Sequence, residues 1–118
     1  MSDITRVALD AMGGDHAPAE MVKGAIEAVN KRDDIKILLT GQEALLKKAL
    51  SEYTYPKDRI EIIPASEVIE TAEPPVMAIR RKKDSSIVVA MNLVKKGEAD
   101  AFVSAGSSGA ILVGLSLI

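Results

Sequence analysis

Four times along this chain a short apolar run of strand length is followed by a longer segment with apolar residues at helical spacing. Residues 4–9 read as a first strand. Residues 18–32 read as a helix, with Met21, Val22, Ala25, Ile26 and Val29 on one face, Pro18 in the first turn and Lys31 and Arg32 in the last. A second strand over 35–40 leads through Gly41 into a helix over 42–53 that carries Leu45, Leu46, Ala49 and Leu50 on one side. A third strand over 60–64 precedes a Glu-rich loop, 65–75, which ends in Pro-Pro. A short helix over 76–83 and a longer one from Ser85 or Ser86 to Lys96 follow, separated at Asp84-Ser85-Ser86, three good N-cap residues. One continuous helix is the alternative there, because Val76, Ile79, Ser86, Ala90 and Val94 can share a face. Gly97 closes the helix, and a fourth strand over 101–104 runs into a glycine-rich turn and an apolar segment, 109–118. Such alternation predicts an α/β fold, with parallel strands joined by right-handed crossovers and helices on both faces of the sheet.

A length of 118 residues fits one small domain, and 47% apolar with 27% charged residues describes a globular chain. The absence of cysteine excludes disulfides, thiol catalysis and thiolate metal sites, and a single histidine excludes a histidine metal-ligand set. A net charge of −2 and only three aromatic residues, Tyr53, Tyr55 and Phe102, speak against nucleic acid as a partner. Met1-Ser2-Asp3 leads directly into the first strand pattern, and segment 109–118 is too short to span a bilayer, so a soluble cytoplasmic protein is expected. That last segment lacks a C-cap and a charged final turn. It reads as a buried helix cut partway, which predicts that the chain is a fragment of a longer protein.

Three segments combine a strand end or helix start with chemistry-bearing residues. In Asp10-Ala-Met-Gly-Gly-Asp-His-Ala-Pro18, Gly13 and Gly14 permit a tight turn and a close backbone approach to a ligand. Asp10 or Asp15 would orient groups, and His16 would donate a hydrogen bond or act as a general acid or base. The structural alternative is a plain strand–helix turn, with Asp15 as a cap and His16 on the surface. Ser104-Ala-Gly-Ser-Ser-Gly-Ala110 again follows a strand and opens a helix. Ser104, Gly106, Ser107, Ser108 and Gly109 suit either an anion cradle or a tightly packed helix cap. It is neither a dinucleotide fingerprint nor a Walker motif, which argues against a nucleotide-binding domain. In Arg80-Arg-Lys-Lys-Asp-Ser-Ser86, Lys82 or Lys83 could reach a bound anion while Ser85 and Ser86 open a helix. The alternatives are a solvated helix end or a docking patch for an acidic protein. A complete, non-catalytic module that binds an anion or a partner is the competing reading of all three segments.

Taken together, these three motifs strongly resemble the bacterial phosphate acyltransferase family, and the resemblance covers essentially the whole chain. Where Ser107 and Ser108 stand, the family commonly carries Asn-Thr. The resemblance implies a three-layer α/β/α architecture with a parallel, Rossmann-like sheet, similar to the isocitrate/isopropylmalate dehydrogenase and phosphotransacetylase group. It implies an N-terminal portion of a longer, homodimeric enzyme that associates peripherally with membranes. It also implies acyl transfer from acyl-acyl carrier protein to inorganic phosphate, giving acyl phosphate for phospholipid synthesis, with no cofactor and no metal. Asp10, Asp15 and His16 would then serve catalysis. Gly13, Gly14, Lys82, Lys83, Ser85, Ser86, Ser104, Gly106, Ser107, Ser108 and Gly109 would bind phosphate or substrate.

Overall fold

Side chains alternate across a strand, so in a sheet covered on both faces each strand contributes to two cores. The structure, a computed structural model, describes residues 4–12, 17–67, 81 and 84–104 of the chain. It contains four strands, β1 (Thr5–Asp10), β2 (Ile35–Gly41), β3 (Ile60–Pro64) and β4 (Ala101–Val103). Three α-helices, α1 (Ala19–Lys31), α2 (Glu43–Leu50) and α3 (Ser86–Lys95), and a 3₁₀ turn at Lys57–Arg59 complete the described elements. The strands are all parallel, in the order β3-β2-β1-β4. The expected parallel α/β architecture with a Rossmann-like strand order is therefore present. Among the described residues no helix is long and apolar enough to cross a membrane.

Register sorts the strand residues into two sets. Leu9 pairs with Leu39, and Leu39 with Ile62. This set packs with Val22, Ala25, Ile26 and Val29 of α1 and with Leu46 and Leu50 of α2. Ala8 pairs with Leu38 and Phe102, and this opposite set packs with Ala90 and Leu93 of α3. Asp10 and Thr40, which are register partners, belong by alternation to the α3 side.

Element ends follow local hydrogen bonding. Residue 10 is part of the first strand, because Asp10 still pairs with Thr40. Pro18 occupies the N-cap of α1 rather than its first turn, and its carbonyl accepts from the Val22 N–H at 2.9 Å. Helix α2 stops at Leu50 and does not reach residue 53. The Ser51 hydroxyl donates to the Lys48 carbonyl at 2.6 Å, and the Tyr53 N–H turns back to Leu50. Such side-chain bonding competes with helix continuation. The break before α3 is real. Ser85 is extended (φ −74°, ψ 151°), and its hydroxyl accepts from the Val88 N–H, so no continuous helix runs through it. At the other end Gly97 has φ +79°, its N–H bonds Val94, and the Glu98 N–H bonds Leu93. That paired return is a Schellman cap, which needs a residue at positive φ and so favours glycine. The fourth strand is one residue shorter than expected, ending at Val103. The expected short helix over 76–83 (Arg81 apart) and the apolar segment 109–118 lie outside the described residues.

The amino edge of the sheet is tied by ion pairs. The Arg6 main-chain N–H donates to Asp100 at 2.8 Å, and its guanidinium contacts the same carboxylate at 3.4 Å and the Gly97 carbonyl at 2.8 Å. The main-chain bond first, and then the guanidinium, hold the Asp100 carboxyl below the ordinary aspartate value. A carboxyl depressed in the folded state contributes stability that is fully present above its unfolded value, 3.8. The contribution is lost as pH falls through the lower folded value. Acid titration followed by circular dichroism is therefore expected to show stability falling below about pH 4, with Asp100→Asn flattening that dependence.

Candidate functional site

The chain walks across the sheet from β1 to β2 to β3 and then returns past β1 to place β4 on its far side. Where strand order reverses in this way, the connections leaving neighbouring strands diverge and open a crevice at the carboxyl ends. Asp10, the last residue of β1, and Ser104, the residue after β4, stand on the two sides of that point.

Asp10 is only 2% exposed. A carboxylate this deep requires partners. Its Oδ1 accepts from the Ser86 hydroxyl at 2.5 Å and from the Met12 N–H at 3.1 Å. Its Oδ2 accepts from the Ser104 hydroxyl at 2.8 Å. One carboxylate thus binds the first turn after β1, the first residue of α3 and the exit of β4. The parity of the strands explains why this is possible: Asp10 points to the face on which α3 starts.

The turn after β1 is held by two further contacts. The Ala11 N–H donates to the Thr40 carbonyl at 3.0 Å. The Met12 side chain lies over Gly41, where a Cβ would stand 2.8 Å from Met12 Cγ and 3.1 Å from Leu46 Cδ1. A side chain at position 41 would therefore force the Met12 and Leu46 side chains to shift.

The expected helix start at Ser85 and Ser86 is present, and contacts within the chain engage it. The Ser86 N–H donates to the Glu67 carbonyl at 3.0 Å, and the Val88 N–H donates to Ser85 Oγ at 3.3 Å. Ser85 and Ser86 are both buried. Their geometry is that of a cap and a tether rather than of donors aimed at solvent. Just before them, Asp84 accepts from the Ser66 hydroxyl at 2.6 Å and from the Ser66 N–H at 2.9 Å. The hydroxyl first, and then the N–H, lower the Asp84 carboxyl from its ordinary value. A cleft of about 410 Å³ adjoins this contact, lined by Gln42, Glu43, Ala44, Ala65, Ser66 and Asp84. Two carboxylates on its wall make it a poor place for an anion.

Of the residues singled out from sequence, the structure brings together Asp10, Ser86 and Ser104, with Ser85 capping the adjoining helix. Gly13, Gly14, Asp15, His16, Lys82, Lys83, Gly106, Ser107, Ser108 and Gly109 lie outside the described residues. Thr40 and Gly41 were missed. A threonine ending the apolar run Ile37-Leu38-Leu39, followed by glycine, was the available signal. Among the described residues no cluster of three or more His, Cys, Asp or Glu could hold a metal ion.

Residues 5–118 match the model of a family described as fatty acid synthesis protein. A phosphate acyltransferase of Clostridium beijerinckii is 52% identical over 113 residues, covering 96% of this chain and 34% of the relative. One from Alkaliphilus oremlandii is 55% identical over 113 residues, with 96% and 33% covered. One from Halothermothrix orenii is 50% identical over 109 residues, with 92% and 33% covered. The chain thus spans about one third of the length of the curated relatives it matches.

Two substitutions probe the junction. Ser86→Ala leaves Asp10 short of a buried donor and is expected to cost about 1–3 kcal/mol in denaturant unfolding. Gly41→Val, which drives a side chain into Met12 and Leu46, is expected to cost about 1–3 kcal/mol by the same measurement.

Proposed function

The chain belongs to the fatty acid synthesis protein family, and from that premise we propose that it forms the N-terminal part of a phosphate acyltransferase. The intact enzyme would transfer a fatty acyl group from acyl-acyl carrier protein to inorganic phosphate, giving acyl phosphate for phospholipid synthesis. The observation that carries this reading is the Asp10 junction at the strand-order reversal. It ties the starts of two glycine-rich turns to one buried carboxylate.

In the proposed step a phosphate oxygen attacks the thioester carbonyl. A C–O bond forms, the C–S bond breaks, and the carrier-protein thiolate leaves and is protonated. Phosphate is a competent nucleophile near neutral pH, so the enzyme's task is to position it and to stabilise the oxyanion. Gly13, Gly14, Gly106, Ser107, Ser108 and Gly109 would present backbone and hydroxyl donors. Lys82 or Lys83 would add positive charge. Asp15 or His16 would be placed to handle a proton. Asp10, with its oxygens already engaged by the chain, is a positioning residue in this scheme, and Ser85, Ser86 and Ser104 act with it. The family resemblance carries with it a cytoplasmic homodimer associated peripherally with the membrane.

The test is acyl phosphate formation by the intact enzyme carrying this sequence, from acyl-acyl carrier protein and inorganic phosphate. Asp10→Asn is expected to lower turnover about a hundredfold through misplacement of the turns. Asp15→Ala and Gly109→Trp should also cut turnover while leaving the fold intact. Phosphate binding without transfer would instead support a non-catalytic anion-binding module, and full activity in all three variants would reject the site.

A further inference from the structure

On the α3 side of β2, Lys36 and Leu38 are followed by Thr40, which is fully buried. Its hydroxyl donates to the Ser86 carbonyl at 2.7 Å, with the Leu9 carbonyl more distant at 3.4 Å. A carbonyl in the first turn of a helix already has an acceptor role within the helix, so it does not need this hydroxyl in order to be satisfied. Thr40 contributes location instead. Asp10 and Thr40 are register partners on adjacent strands, and both reach Ser86. Asp10 takes its side chain and Thr40 its main chain. One contact would let the first residue of α3 pivot, whereas two contacts from two strands fix it. The Thr40 carbonyl meanwhile accepts the Ala11 N–H, so the same residue anchors the turn that follows β1.

We propose that Thr40 is a positioning residue for phosphate in the acyl transfer described above, acting through Ser86 and Asp10 and through the turn that begins at Ala11. The inference rests on the proposed function. It adds a residue that contacts no substrate yet fixes the turn that follows β1 against the start of α3.

The test uses the intact enzyme carrying this sequence, with kinetics measured separately in phosphate and in acyl-acyl carrier protein. Thr40→Val keeps the shape and removes the donor. It is expected to raise KM for phosphate about tenfold and leave KM for the acyl donor unchanged, with Thr40→Ser returning to within about twofold of wild type. A merely structural role would reduce the active fraction and leave both KM values alone. An unchanged KM for phosphate in Thr40→Val, or equal impairment of Thr40→Ser, would overturn the inference. If Thr40→Val does not fold, Thr40→Cys, a weak donor of similar size, is judged by the same two criteria. A wild-type enzyme without transfer activity would overturn the proposed function and this inference together, whereas an active wild type with an unimpaired Thr40→Val overturns this inference alone.

Discussion

A buried carboxylate is costly unless it is surrounded by donors, and Asp10 is the place where this chain meets that cost. Its partners come from three separate parts of the sequence: Met12 beside it, Ser86 at the start of a helix on the far side of a crossover, and Ser104 beyond the last described strand. Remove the carboxylate and each of these groups loses its common reference point. Much of the carboxyl edge of the sheet depends on this arrangement, because β1 is central, with β2 on one side and β4 on the other.

The two cores beneath that edge are unequal in kind. The α1 and α2 face is filled with branched side chains, including Leu9, Val22, Ile26, Leu39 and Leu46. The α3 face is made with smaller residues, Ala8, Ala90 and Ala99, around Leu38 and Leu93. Small residues bring α3 close to the strands. Closeness is what allows short side chains such as Asp10, Thr40 and Ser86 to meet. Longer side chains at Ala8 or Ala90 would hold the helix off and leave those polar groups unpaired. Packing and polar chemistry are thus coupled along one helix–sheet contact.

Much of this was legible from the residues alone. The third strand has the expected bounds, and each of the other described strands and helices lies within a few residues of expectation. These elements are encoded locally, by apolar spacing and by cap residues such as Ser85 and Gly97. Candidate chemistry at Asp10, Ser86 and Ser104 was visible as residue types at strand ends and helix starts. Their convergence was not, since Asp10 and Ser86 are 76 positions apart and Asp10 and Ser104 are 94. Thr40 carried no local signal of its partner for the same reason.

The sequence by itself therefore determined the kind of fold, a parallel α/β sheet, and the family, through motifs distributed along the whole chain. Tertiary structure alone decided which partners the described motif residues meet. It engaged Ser85 as a cap and Ser86 as a tether, with the Ser86 N–H given to the Glu67 carbonyl and the Val88 N–H to Ser85 Oγ. It also made Asp10 an internal junction rather than an open acid. The physical reason is range. Helix and strand formation are governed by neighbours a few positions away, whereas the partner of a buried polar group is set by strand order, register and face, which exist only once the chain has folded.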